Sequence, residues 1–143
     1  MFASAAFATP SSRQRHAYQD VQVTTAVDGA SPHQLVAMLF NGLMDSIAQA
    51  RGGIRAKNVE VKGRAISRAV RIIDEGLKAG LNLTEGGNLA ADLNDLYAYI
   101  TVRLTYANLH SDEAALDECV RLVEPLRSAW GEMSAAVKTG ASA

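Results

Sequence analysis

Apolar positions along the chain recur at the i, i+3, i+4, i+7 spacing of helices in four successive stretches, and no stretch alternates with the period of two that a half-buried strand requires. Ser31-Pro32-His33-Gln34 opens the first stretch. It puts a serine at N-cap, a proline at the first helical position and a glutamine three residues after the cap, which together satisfy orphan amides at a helix start. Helix 1 is predicted to run from there through Leu35, Met38, Leu39, Phe40, Leu43, Met44 and Ile47 toward Arg51, where Gly52-Gly53 weakens or ends it. Helix 2 is predicted over residues 59–79, with Ile66, Ala69, Val70, Ile73 and Leu77 on its main face, and a glycine-containing loop closes it. Helix 3 is predicted over 89–108, followed by a turn whose Ser111 or Asp112 can cap helix 4. Helix 4 carries the stripe Leu116, Cys119, Val120, Val123, Leu126, Trp130, Met133 and Val137, and Pro125 within it should kink the helix. Four amphipathic helices on short linkers imply an all-α, antiparallel four-helix bundle, with residues 31–137 as the domain. Residues 1–30 hold no sustained period and form an extended or partly helical N-terminal arm, and 138–143 a frayed tail.

Helix 3 differs from the others in having two apolar stripes. With Leu96 at zero and a step of 100° per residue, Leu89, Leu93, Leu96, Ile100, Leu104 and Ala107 fall between roughly 0° and 80°, while Tyr99, Val102, Tyr106 and Leu109 fall between roughly 220° and 300°. Helix 2 repeats this more weakly, with Val61, Ala65, Ile72 and Ala79 at roughly 220° to 260° from Ile66. A four-helix bundle buries one face per helix, so the surplus surface is expected to be covered by the arm, by a second copy or by a bound peptide. The arm offers Tyr18, Val21 and Val23 as a displaceable cover. A helix 3 packed on both sides is the competing explanation for the second stripe.

Composition narrows the class. At 143 residues the chain has room for one domain, and 48% hydrophobic with 20% charged residues is a globular balance without an apolar run long enough to span a membrane. The formal net charge of −1 and the scattered basic residues give no footprint for nucleic acid. One cysteine, Cys119, excludes an intrachain disulfide and suits a reducing, cytoplasmic setting; its place in a core stripe makes it packing rather than a nucleophile. His16, His33 and His110 share no ligand spacing, so no metal is expected, and no phosphate loop, dinucleotide fingerprint or nucleophile elbow appears, so no cofactor and no catalysis are expected.

Residues 30–42 (ASPHQLVAMLFNG) resemble the helix 1 signature of the FliS family of flagellin export chaperones. Residues 72–81 (IIDEGLKAGL), Gly86-Gly87, residues 93–104 (LNDLYAYITVRL), Ala107-Asn108-Leu109 and Trp130 follow in the family's order, so the resemblance spans about residues 18 to 133. It implies a helical bundle that holds the disordered C-terminal segment of flagellin in the cytosol, blocks premature polymerisation and helps present the client to the export gate. It also implies that Tyr18, matching the family's N-terminal aromatic, takes part in cavity covering and client binding, and it places Ile72, Tyr99 and Leu104 within matched motifs. Arg15, three before Tyr18, and Pro125 depart from the family pattern. Together these readings predict a flagellin-binding groove formed by Tyr18, Val61, Ala65, Ile72, Ala79, Tyr99, Val102, Tyr106 and Leu109 on a monomer. A homo-oligomeric adaptor that buries the same stripe against its own copy is the alternative.

Overall fold

The computed structural model describes residues 13–14, 29–83 and 86–139, without the side chains of 134–139. Among the described residues four long helices make up the bundle: α1 (Pro32–Arg55), α2 (Val59–Arg71), α3 (Gly87–His110) and α4 (Glu113–Thr139). α1 packs on α2 and α4, α2 on α3, and α3 on α4, a square ring in which diagonal pairs share at most marginal contacts. Short turns between successive helices make neighbours antiparallel.

At the start of α1, the Gln34 amide donates to Ser31 Oγ at 3.2 Å, the Ser31 amide donates to Gln34 Oε1 at 2.8 Å, and Pro32 occupies the first turn. α1 runs on through Gly52 and Gly53 to Arg55, past the expected stop, because its hydrogen bonds continue as far as Ala56 N–H to Gly52 O at 2.9 Å. Gly53 is needed for proximity instead: a Cβ there would lie 2.6 Å from the Lys62 backbone nitrogen, where the start of α2 presses on the end of α1. Asn58 caps α2 through Oδ1, which accepts the Val61 amide at 3.1 Å.

α2 does not continue as an α-helix to residue 79. From Ile72 to Leu77 it widens into a π-helical segment, with Lys78 N–H bonded to Ile73 O at 2.7 Å across five residues. α3 ends at Ser111 in the left-handed region (φ 49°), and Asp112 Oδ1 then accepts the Ala114 amide at 2.9 Å to start α4. α4 passes through Pro125 as one helical span, so the proline costs a hydrogen bond without dividing the helix. The core contains Leu39, Leu43, Ile47, Ile66, Ile73, Leu77, Ile100, Leu104, Leu116, Cys119 and Val123. Trp130 Nε1 donates to His33 O at 2.9 Å, tying the far part of α4 to the first turn of α1. Gln14 reaches the bundle as well: it is buried, and its Nε2 donates to Gly76 O at 2.8 Å in the π-helical segment.

Candidate peptide-binding face

The two stripes of α3 take opposite fates. Tyr97, Ile100, Leu104 and Ala107 are buried, whereas Tyr99, Val102, Tyr106 and Leu109 are exposed by 45%, 63%, 40% and 77% of their surface. No described element covers the second stripe, and large apolar residues left this open on neighbouring turns of one helix are the informative departure from ordinary burial. Leu89, expected on the inner stripe, is exposed, and Ala90 fills the buried place in the first turn. Tyr97, which the wheel did not single out, is among the largest fully buried side chains.

The residues expected from helix 2 do not join this face. Ala65 and Ile72 belong to the core, at 4% and 1% exposure. Two physical causes account for this. α2 is packed between α1 and α3, so its buried arc spans more than one stripe and includes Lys62, Ala65, Ile66 and Ala69. Beyond Arg71 the π-helical turn adds a residue per turn, so a 100° step no longer describes where Ile72 and Ala79 point, and Ile72 and Ile73 are both buried. Ala79 is half-buried. Val61 is exposed, but together with Ala65 it lines a depression shared with Gln49 of α1, on the opposite side of the ring from α3 and α4. The groove expected between helices 2 and 3 is therefore not assembled; the α3 stripe stands beside α4. Tyr18 lies outside the described residues.

On that α3/α4 face a polar network holds the aromatic rings. Glu118 of α4 accepts the Tyr99 hydroxyl through Oε2 and Arg103 Nε at 2.6 Å through Oε1. The Arg103 guanidinium sits 4.6 Å from the Tyr106 ring centroid, a cation–π distance, and Tyr106 lies 4.3 Å from the His110 ring. The hydrogen bonds from Tyr99 and Arg103 hold the Glu118 carboxyl below its ordinary value, and the same carboxylate pushes the Tyr99 phenol up. Fixing two tyrosines and an arginine in advance lowers the ordering cost of a partner that lands on them. Periodicity missed Arg103 and Glu118, although Tyr99, Arg103, Tyr106 and His110 follow the 4-3-4 spacing of one helical face.

Nothing on the face points to catalysis. Cys119 is buried with its thiol toward Ile100 O at 3.9 Å, and burial pushes it up to about 12, which leaves no thiolate at neutral pH. Among the described residues no cluster of His, Cys, Asp and Glu can hold a metal ion, and no helix is long and apolar enough to cross a membrane.

Comparison with known proteins gives one family. The family model described as "Flagellar protein FliS" matches residues 14–137. The "Flagellar secretion chaperone FliS" of Salmonella typhimurium is 44% identical over 118 residues, covering 82% of this chain and 87% of that protein. The "Flagellar secretion chaperone FliSB" of Pseudomonas aeruginosa is 38% identical over 117 residues, 82% of this chain and 92% of its own. The "Flagellar secretion chaperone FliS" of Bacillus subtilis is 34% identical over 116 residues, 80% of each chain.

Proposed function

Because the chain belongs to the FliS family of flagellar secretion chaperones, we propose that it acts in the cytoplasm on the disordered C-terminal segment of flagellin, holding it on the α3/α4 face, preventing premature polymerisation and helping to deliver it to the export gate. The observation that carries this is the α3 stripe of Tyr99, Val102, Tyr106 and Leu109, exposed opposite a fully formed core. A disordered client loses chain entropy on binding, so a stable complex needs apolar side chains to bury and anchors that are already fixed. The stripe supplies the apolar surface, and the Tyr99–Glu118–Arg103–Tyr106 network supplies tyrosine and arginine anchors of the kind that dominate interfaces. Ala65 and Ile72 act only by shaping the core beneath.

Titration calorimetry with a synthetic flagellin C-terminal peptide tests this. Val102→Glu and Tyr106→Glu should each weaken binding by at least about tenfold, since each replaces apolar contact surface with a carboxylate that the complex would have to desolvate. Both variants should keep the helical circular dichroism of the parent, because both positions are exposed. Unchanged affinity in both would remove the α3 stripe from the site. The same exposed stripe also fits self-association. Light scattering that finds a client-independent dimer, with Tyr99 and Tyr106 protected from modification, would favour that reading instead.

A further inference from the structure

The open stripe of α3 ends beside a positive charge that has no counter-ion among the described residues. Lys62, near the start of α2, is only 8% exposed, and its Nζ donates to the neutral hydroxyl of Ser111 at 2.8 Å. The carboxylates nearest to these two residues in sequence are committed elsewhere. Asp112 Oδ1 accepts the Ala114 amide at 2.9 Å, Glu113 takes Arg51 and Arg55, and Glu60 pairs with Arg64. Burying an ammonium without an anion is costly, and the free carbonyls at the C-terminal end of α3 offset only part of that cost, because they carry partial charge. The position is enforced by the close approach at Gly53, where the Lys62 backbone presses on the end of α1. The ammonium has three hydrogens, and a hydroxyl that accepts from it keeps its own hydrogen to donate. Ser111 is exposed, so these donors open to solvent. Val59, one turn before Lys62 on the same face of α2, and Leu109, the last member of the outer α3 stripe, flank the pair with 73% and 77% of their surface exposed.

Taking the client to be a C-terminal segment lying on the α3 stripe, as proposed above, we infer that Lys62 and Ser111 receive the terminal carboxylate of its chain, with its last apolar side chain against Leu109 and Val59. A chain that runs along the stripe from Tyr99 toward Leu109 brings its end to Lys62. That end carries a carboxylate that no internal stretch of a protein has. A fixed ammonium beside a hydroxyl donor suits it, since charge-assisted hydrogen bonds are the strong ones and both donors are already positioned by the fold. Apolar contacts along a stripe leave the direction of a bound chain open, whereas one charged contact at its end sets the client parallel to α3.

Titration calorimetry on the full chain tests this with two flagellin C-terminal peptides that differ only in ending as the free acid or as the amide. The amide should bind the parent about tenfold more weakly, the loss expected for one charge-assisted contact. Lys62→Met keeps the buried stem and drops the ammonium. With parental circular dichroism, it should bind the two peptides equally, and as weakly as the parent binds the amide. A third peptide, with a free terminus but every side-chain carboxylate replaced by its amide, should bind like the native sequence. Equal binding of acid and amide by the parent, an acid preference that survives in Lys62→Met, or a loss with the third peptide that Lys62→Met abolishes would each overturn the inference. The stripe is judged by different readouts, because Val102→Glu and Tyr106→Glu should weaken acid and amide alike. A missing acid preference therefore leaves the stripe standing, and an ineffective stripe variant leaves the acid preference readable.

Discussion

Adjacent glycines at the end of α1 provide a controlled test of how the first two helices meet. Gly52 and Gly53 are both helical, and an added methyl brings each about 1 kcal/mol of helix propensity. They differ in what the methyl meets. At Gly52 a Cβ would enter open space, whereas at Gly53 it would stand 2.6 Å from Lys62 N and 2.9 Å from Lys62 Cα. Relaxed contacts need roughly 3.5 Å or more, and both colliding atoms are backbone, so the overlap is relieved only by shifting the start of α2 by about 1 Å. Overpacking of that kind costs about 1–3 kcal/mol. The shift also disturbs the Asn58 cap and the buried Lys62, whose Nζ donates to Ser111 Oγ at 2.8 Å. Propensity cancels between the two variants, so their difference isolates the steric cost. Gly52→Ala should gain up to about 1 kcal/mol, and Gly53→Ala should fall about 1–3 kcal/mol below it, a melting gap of roughly 3–9 °C for a chain of this size. Urea unfolding followed by circular dichroism measures the gap. If the two variants proved equally stable, the close approach of α1 and α2 at Gly53 would be refuted.

Two further outcomes follow from buried groups. The Tyr97 hydroxyl is buried without a hydrogen-bond partner among the described residues, so Tyr97→Phe should be neutral or stabilising by about 1 kcal/mol in the same unfolding assay, and a clear loss would reveal a partner for that oxygen. Cys119 ionises near pH 9 when exposed but only at about 12 when folded. Its contribution to stability is therefore complete below the lower value and lost as pH rises toward the higher, and a thiol reagent at mildly alkaline pH should label the chain only after denaturant is added.

Local rules made the starts of α1 and α4 legible. Ser31 and Gln34 bond as a capping box, and Asp112 caps α4, because capping depends on residues adjacent in sequence. The exposure of Tyr99, Val102, Tyr106 and Leu109 was legible for a similar reason, since α3 keeps one regular period from Gly87 to His110. Where that period fails, so does the wheel. The π-helical turn at Ile72–Leu77 has no signature in residue type, so the sequence pattern carried Ile72 to the surface while the structure buries it. Gly53 reads as a helix stop by conformational preference, yet its role depends on Lys62, which the turn folds back against it. Long-range pairings such as Glu118 with Tyr99 and Arg103, or Trp130 with His33, depend on the ring order of the helices, which periodicity within one helix does not encode.

That ring order also determines how stability and the proposed docking face are divided in α3. Its inner stripe, with Tyr97, Ile100, Leu104 and Ala107 buried, carries the fold, and its outer stripe faces away from the core across the width of the helix. Sites separated in this way and sharing no partners act nearly additively, so the outer residues can be substituted while the bundle stays intact. The cost of the arrangement is apolar surface left exposed among the described residues. The Arg103–Glu118 pair borders that surface, since it contacts Tyr99 and Tyr106 and places two charges along one edge of the stripe. Through these contacts the pair holds both tyrosines in place on the proposed docking face.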